Sequence, residues 1–395
     1  MADITLLSTA DWDHPLWTNK QHVALCLSRL GHRVLYVDSL GLRVARPEAA
    51  DRRRILRRLR RGLRPPRAVA PGLWVWSPLV LPGARSSLLT ALNRLLLRVG
   101  LAFARAWLRL SNDWLWTYNP RTLAVLDPAA YRLLVYHCVD DIQSQPGMDA
   151  GDLDRWEEAL CRRAAIVFVT SPALEASRRR FNPRTHFFPN VADHGHFAAA
   201  LDPGIVVPAA LAALPRPRIG FVGAISAYKL DLALLEALAA THPQWTFVLI
   251  GPVGEGDPGT DASALRRLPN VHLAGARPYA ELPAWLAGVD AAILPLRRNA
   301  YTEAMFPMKF FEYLAAGRPV VATAIRSLLP YADRVSLVEP QPAAFAAALA
   351  QALRSDSPEQ RQARSRLAAG HTYEQRTGAM LELIAAIEPA AHPGP

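Results

Sequence analysis

Short apolar runs alternate with helical stretches along the whole chain. In the first half, Ile4–Thr9, Val34–Ser39, Leu73–Ser77, Trp114–Tyr118, Leu133–Val139 and Ile166–Ser171 are rich in β-branched and aromatic residues and predict strands. Gln21–Leu30, Ser87–Leu110 and Asp152–Arg163 have the three-to-four-residue spacing of helices. Several strands are nearly continuous apolar runs, as strands covered on both faces are. The first strand–helix–strand unit is compact and closes on Gly31-His32-Arg33. The second half repeats the cycle. Strands are expected at Ile219–Ala224, Thr246–Gly251, Val271–Gly275, Ala291–Pro295, Pro319–Ala324 and Val335–Val338. Helices are expected between them at Leu230–Thr241, Glu281–Ala287 and Met308–Ala316. This alternation predicts an α/β chain with two parallel-sheet domains. Leu201–Arg218, with Pro203, Pro208, Pro215 and Pro217, reads as the linker between them. The boundaries are then 1–195, a linker at 196–217, 218–370, a final helix at 371–388 and a disordered tail at 389–395.

Composition narrows the function. The chain has 395 residues, 51% of them apolar, enough for two cores. Met1 leads straight into the first strand, so no secretory signal is expected. Cys26, Cys138 and Cys161 form no Cys-x-x-Cys pair and sit in apolar stretches, which suits a reducing compartment and argues against a disulfide framework or zinc site. The most apolar long stretch, Leu88–Leu110, is broken by Arg94, Arg98, Arg105 and Arg109, so no spanning segment is predicted.

The net charge of +11 is uneven. Arg43–Leu110 holds sixteen arginines against Glu48 and Asp51, or +14, which leaves −3 for the rest. Arg52–Arg64 places Ile55, Leu56, Leu59 and Leu63 on one helical face with arginines around them. Ser87–Leu110 repeats the theme, with Leu88, Leu92, Leu95, Val99, Phe103 and Trp107 in register. A basic amphipathic helix lies in the headgroup plane of an anionic leaflet, where each basic residue contributes ~1 kcal/mol. A second reading packs the Leu stripe of the later helix on the sheet and leaves only an Arg face outside. Nucleic acid is not expected as a partner: no recognition module is present, and Trp74 and Trp76 sit in a predicted strand.

The densest chemical signal is Phe306-Pro307-Met308-Lys309-Phe310-Phe311-Glu312-Tyr313-Leu314-Ala315-Ala316-Gly317. Pro307 suits the first turn of a helix and Gly317 its end. Lys309 and Glu312, three apart, share one face. The plain reading is an ion pair on a solvated face. The functional reading is a helix N-terminus that attracts a diphosphate, with Lys309 adding a point charge and Glu312 accepting hydrogen bonds from two ribose hydroxyls. There is no Gly-x-Ser-x-Gly elbow, Gly-x-x-x-x-Gly-Lys-Ser/Thr loop or Gly-x-Gly-x-x-Gly fingerprint, so hydrolase, ATPase and dehydrogenase readings fall.

This segment resembles the nucleotide-binding stretch of the retaining glycosyltransferase family of GT-B fold (the family 4-like "glycosyl transferases group 1"). It looks closer still to the branch with teichuronic-acid-type bacterial polysaccharide transferases. Glu312 matches the second of the family's two glutamates, while the first falls at Ala304, with Glu303 one position off. Ile219-Gly220-Phe221-Val222-Gly223-Ala224-Ile225 followed by Lys229 resembles the family's Val-Gly-Arg…Lys stretch, with Ala224 in place of Arg. Phe188-Pro189-Asn190-Val191-Ala192-Asp193 resembles Pro-Asn-Gly-Val-Asp. Leu273-Ala274-Gly275-Ala276-Arg277 resembles the turn that reads the base. His371-Thr372-Tyr373-Glu374 resembles the motif before a helix that crosses back to the first domain.

The resemblance implies two Rossmann-like domains about a cleft. It implies a donor site of Gly223, Lys229, Gly275, Ala276, Arg277, Met308, Lys309 and Glu312, with Lys229 and Lys309 also catalytic. The nucleotide-diphosphate sugar is then a co-substrate, and no cofactor or metal is expected. Asp11-Trp12-Asp13 spells a metal-sugar motif of another fold and is read as coincidence. On the acceptor side, Asp13, His14, Lys20, Tyr118, Asn119 and Asp140 follow strands whose ends would line the cleft, and His137 is a candidate base. For each of these a capping, turn or internal role is the alternative. The implied activity is sugar transfer to a lipid-linked or oligosaccharide acceptor, in the cytoplasm at the inner membrane face. An inactive membrane scaffold and a nucleotide-sugar epimerase are the alternatives.

Overall fold

The structure, a computed structural model, describes residues 1–14, 17–40, 61–62, 64–81, 87–148 and 150–388. The predicted helix at Arg52–Arg64 falls almost wholly outside them, and so does the tail 389–395. The chain divides into two compact units. Unit 1 holds the residues up to Phe188, except Ser144–Pro146, and the chain from Thr377 onward; unit 2 holds Ser144–Pro146 and Pro189–Arg376.

Unit 1 is built on eight strands: β1 (Asp3–Leu7), β2 (Arg33–Val37), β3 (Arg67–Ala70), β4 (Leu73–Trp76), β5 (Trp114–Thr117), β6 (Leu133–Cys138), β7 (Ile166–Val169) and β8 (Thr185–Phe187). Their order is β3-β4-β2-β1-β5-β6-β7-β8. Every pair is parallel except β3–β4, which turns back through Pro71 and Gly72 with Gly72 at φ 70. In β1, β6 and β7 every residue is buried, hence their largely apolar sequences.

The helix Ser87–Leu108 lies on this sheet in an orientation that corrects the packing alternative above. Leu97, Leu101 and Ala104 enter the core beside Trp76, and a Cβ at Gly100 would come within 2.7 Å of the Trp76 ring. The small residues set the close face. The larger side chains Leu88, Leu92, Leu95, Val99, Phe103 and Trp107 are left exposed. Among the described residues no helix is long and apolar enough to cross a membrane. The last helix, Tyr373–Ala385, leads to Glu388, which accepts from Trp114 Nε1 at 2.6 Å and pairs with Arg132 at 2.9 Å within unit 1.

Unit 2 has six parallel strands: β9 (Arg218–Val222), β10 (Thr246–Ile250), β11 (Val271–Gly275), β12 (Ala291–Leu294), β13 (Val320–Thr323) and β14 (Ser336–Val338). Their order is β11-β10-β9-β12-β13-β14, so the winding reverses between β9 and β12. Ligands of open α/β sheets bind beyond the carboxyl ends of strands at such a reversal. The segment 196–217, expected as a linker, is instead part of this unit. Phe197, Ala200 and Leu211 are buried in its core, and Gly288 leaves room for Leu211 and Val207 against the neighbouring helix. Its prolines suggested an extended tether, but its apolar residues dock it.

Candidate functional site

Glycines end the three strands on one side of the unit 2 sheet. Gly223 follows β9 at φ 148, Gly251 follows β10 at φ 151 and Gly275 ends β11 at φ 72. Gly223 N donates to Ile250 O at 2.9 Å, and Gly251 N to Gly275 O at 2.9 Å, so the chain crosses the strand ends as hydrogen-bonded backbone. A Cβ on Gly251 would sit 1.9 Å from Gly223 O. Gly251 thus lets the two strand ends pack backbone on backbone, while the space beside Gly275 is open.

The loop after β9 carries Lys229 to the point of reversal. Leu230 bridges to Leu296 just beyond β12, and Arg297 N donates to Lys229 O at 2.9 Å. The Lys229 ammonium lies 5.1 Å from the Tyr228 ring centroid and 5.3 Å from that of Tyr301. Among the described residues no carboxylate is paired with it, so its charge is held by ring faces at a strand-end crevice. Arg277 sits 4.6 Å over Trp285 and donates to Ala274 O at 2.8 Å, which rigidifies the turn after β11. Ala276 in that turn is exposed.

The helix Lys309–Ala315 packs beside the end of β9. Tyr313 Oη accepts from Val222 N at 2.7 Å, one residue before Gly223. Met308 caps the helix and is half-buried, and Gly317 at φ 72 ends it. Lys309 Nζ lies 2.7 Å from Glu312 Oε2. The pair is not on a solvated face: Glu312 is 3% exposed. Burial pushes its carboxyl up, the Lys309 charge and hydrogen bond pull it partly back, and Asp193 adds a further push upward.

Around this pair stand residues that the sequence did not single out individually. The His196 ring stacks on Tyr279 with centroids 4.2 Å apart, and His196 Nε2 is 2.9 Å from Tyr279 O. Burial lowers the His196 pKa. Burial raises the Tyr279 hydroxyl far above its usual range, with Glu312 and Asp193 adding to it. Asn190 donates to Phe306 O at 2.5 Å and Asp193 accepts from His196 N at 3.2 Å, so the Pro189–Asp193 motif braces the turn that launches Lys309. The motif is visible in the sequence, but its bracing role is a tertiary contact. Glu303, next to Ala304, pairs with Arg298 at 3.3 Å.

The unit 1 candidates separate into different roles. Lys20 is buried in the first turn of the helix Asn19–Arg29, with Nζ 6.0 Å from the Tyr118 ring centroid. Tyr118 is buried and stacks on His137 at 4.8 Å. His137 is 0% exposed and packs also against Trp116 and Phe168. Of the two readings of His137, candidate base and internal histidine, its enclosure in β6 favours the internal one. Asn119 is buried and its Oδ1 accepts from Arg121 N at 2.9 Å, a turn role. Asp13 pairs with Arg67 of β3 at 2.6 Å and Arg61 at 3.7 Å. His14 N donates to Asp11 O, and Asp140, half-buried, accepts from Ile142 N at 3.0 Å. Asp38, which the sequence reading passed over, closes a network at the ends of β2 and β4, taking Trp12 N at 2.8 Å and Ser77 Oγ at 2.5 Å. Its carboxyl is raised by burial.

Behind β6, Arg178 is buried between Glu157 at 2.7 Å and Asp141 at 2.9 Å, while Tyr136 donates to Glu157 at 2.5 Å. Cys138 points into the same network, and burial pushes its thiol far up. This network ties two helices to the sheet and offers no reactive group. Among the described residues no three His, Cys, Asp or Glu side chains cluster tightly enough to hold a metal ion.

Residues 216–355 match the family model described as "Glycosyl transferases group 1". Over 110 residues the chain is 40% identical to TuaH of Bacillus subtilis (strain 168), the proposed teichuronic acid biosynthesis glycosyltransferase, a match covering 28% of this chain and 27% of that one. The chain thus spans about a quarter of that curated relative's length. Among solved structures, a sucrose-phosphate synthase from Thermosynechococcus elongatus aligns over 99% of this chain and 100% of its own with TM-score 0.70 and 18% identity. Anabaena HepE in complex with UDP and glucose aligns over 98% and 100% with TM-score 0.64 and 18% identity. Residues 216–355 are therefore a glycosyl transferases group 1 domain, carried in a chain of GT-B fold.

Proposed function

We propose that this chain is a glycosyltransferase that moves a sugar from a nucleoside-diphosphate donor held in unit 2 to a glycan acceptor held by unit 1. The observation that carries the reading is Glu312, a carboxyl 3% exposed, braced by Lys309 beside the strand-end glycines and inside the matched segment. In this reading Glu312 accepts the two ribose hydroxyls, and its burial makes those hydrogen bonds strong. The diphosphate lies over the backbone at Gly223 and Gly251, beside the Phe221 ring that stands 3.1 Å from where a Cβ on Gly223 would be. Lys229 and Lys309 face the charge that grows on the leaving diphosphate, in place of a metal ion. His196 and Tyr279 hold the wall next to Glu312. HepE, of like fold, is described in complexes with UDP and with UDP-glucose, which supports a nucleotide sugar as the donor class.

Retention of anomeric configuration is the outcome proposed with this arrangement. The acceptor is proposed to be a lipid-linked glycan of a bacterial surface polysaccharide, met at the inner face of an anionic membrane through the basic 43–110 region. Ala304 and Ala224, where the family has an acid and an arginine, keep a second reading in view: a catalytically silent scaffold. The test is incubation with labelled UDP-, GDP-, ADP- and dTDP-sugars plus bacterial lipid extract, in EDTA. Acceptor-dependent release of nucleoside diphosphate with a labelled lipid product is expected. A changed sugar without acceptor would instead mean an epimerase, and no turnover from a nucleotide-binding protein would mean a scaffold.

A further inference from the structure

Six of the ten exposed large hydrophobic side chains among the described residues lie on one helix. They are Leu88, Leu92, Leu95, Val99, Phe103 and Trp107, at 37–76% exposure, three or four residues apart on Ser87–Leu108. At 100° per residue they occupy one face roughly 120° wide and about 30 Å long. Phe103 and Trp107 touch, with ring centroids 5.9 Å apart. The opposite face, Leu97, Gly100, Leu101 and Ala104, is already committed to the sheet, so among the described residues the outer stripe has no role in this unit's core. Arg94, Arg98 and Arg105 fall within about 40° of one another on one flank, between the buried and exposed faces; the Arg105 guanidinium lies 5.4 Å over the Tyr131 ring, and Arg109 follows the helix at φ 53. A soluble surface seldom presents so long a contiguous apolar patch without an occupant.

The charge decides which occupant. A second copy of this chain docking stripe to stripe in antiparallel orientation would bring the two arginine flanks to the same edge, a repulsive arrangement. A leaflet of anionic headgroups complements them and takes an amphipathic helix lying flat, apolar face down. We infer that Ser87–Leu108 is an insertion helix: its Leu-Val-Phe-Trp stripe enters the acyl boundary of an anionic bilayer while Arg94 and Arg98 on its flank meet lipid phosphates. This deepens the membrane part of the proposed function and rests on that reading for the choice of membrane face alone. It adds that apolar insertion, and not charge alone, holds the protein.

The experiment is co-sedimentation of the full chain with vesicles of phosphatidylcholine, and of phosphatidylcholine with about one-third phosphatidylglycerol. It compares wild type with a Leu95→Ser, Phe103→Ser, Trp107→Ser variant. All three side chains are exposed, so the variant folds, and an unchanged nucleotide-induced thermal shift checks this on the same preparation. Wild type should bind the anionic vesicles, and the variant's partition coefficient should fall about a hundredfold or more. Three results overturn the inference: wild type left in the supernatant, a variant that sediments like wild type, or a lipid-free dimer that the substitutions abolish. Each of these can occur with the nucleotide shift intact, which leaves the donor reading standing. Loss of the shift with sedimentation intact does the reverse.

Discussion

Replacing Lys309 by alanine leaves a carboxylate inside the protein without its ion partner. Lys309 Nζ is 2.7 Å from Glu312 Oε2, with the side chains 16% and 4% exposed. Breaking a buried pair costs about 3–5 kcal/mol when the survivor stays charged. Lys309 retains some water, which trims the figure to about 2–3 kcal/mol. The carboxyl can also escape the penalty by taking a proton, at about 1.4 kcal/mol per unit of pKa shift. The pH dependence follows. Burial already sets the folded Glu312 above its unfolded value, and losing Lys309 raises it further. A group raised in the folded state favours folding below its unfolded pKa, and that advantage is lost as pH rises through the folded pKa. Lys309→Ala should therefore cost little near pH 4.5 and about 2–3 kcal/mol at pH 8. Urea unfolding of wild type, Lys309→Ala, Glu312→Gln and the double variant at both pH values measures this. The double variant should recover most of the loss at pH 8, because it no longer buries a charge. An equal loss at both pH values, or no recovery, would refute the buried-pair argument.

Gly251→Ala forces a Cβ to within 1.9 Å of Gly223 O at a φ of 151, and both strand ends are pinned by backbone hydrogen bonds. It should cost about 3 kcal/mol or more and abolish nucleotide binding, read by thermal unfolding and calorimetry. Arg178→Ala strands Glu157 and Asp141 and should lower stability by about 3–5 kcal/mol; a change under 1 kcal/mol would mean water reaches that network. Lys229→Ala removes a cation that, among the described residues, is held by ring faces. Stability should move by less than about 0.5 kcal/mol while nucleotide affinity drops about tenfold, and unchanged affinity would take Lys229 out of the diphosphate site.

The sequence was most legible where a strand is covered on both faces. The apolar runs at Ile4, Val34, Leu133, Ile166 and Phe247 became the inner strands within a residue or two. It was least legible at the sheet edges. β3 reads Arg-Ala-Val-Ala with its first two residues exposed, and β8 has three residues, so neither offers a run long enough to recognise. The Ser87–Leu108 helix shows a different limit. Its period was plain, but periodicity does not say which face packs. The bulky stripe looked like the core face, yet Gly100 and Ala104 give the closer approach to Trp76.

The site was legible in its motif and obscure in its supports. Lys309 and Glu312 came from their spacing and the resemblance. Tyr279 and His196 came from neither, since they reach Glu312 from other segments and meet only in three dimensions. The His137-to-Asp141 stretch was read as the end of the strand Leu133–Val139 facing a cleft. In the folded chain His137 and Cys138 lie in β6 as expected, but His137 is enclosed and Asp141 pairs with Arg178.

Nucleotide binding in unit 2 is tested most directly by a thermal-shift titration with UDP, GDP, ADP and dTDP, with and without magnesium, on wild type and Glu312→Ala. A ligand of the folded state raises Tm with the logarithm of its excess over Kd. One nucleotide should stabilise wild type without magnesium and fail on a Glu312→Ala protein that still unfolds cooperatively. A wild type that none of the four stabilises, or a variant stabilised as much as wild type, would contradict the donor site at Glu312.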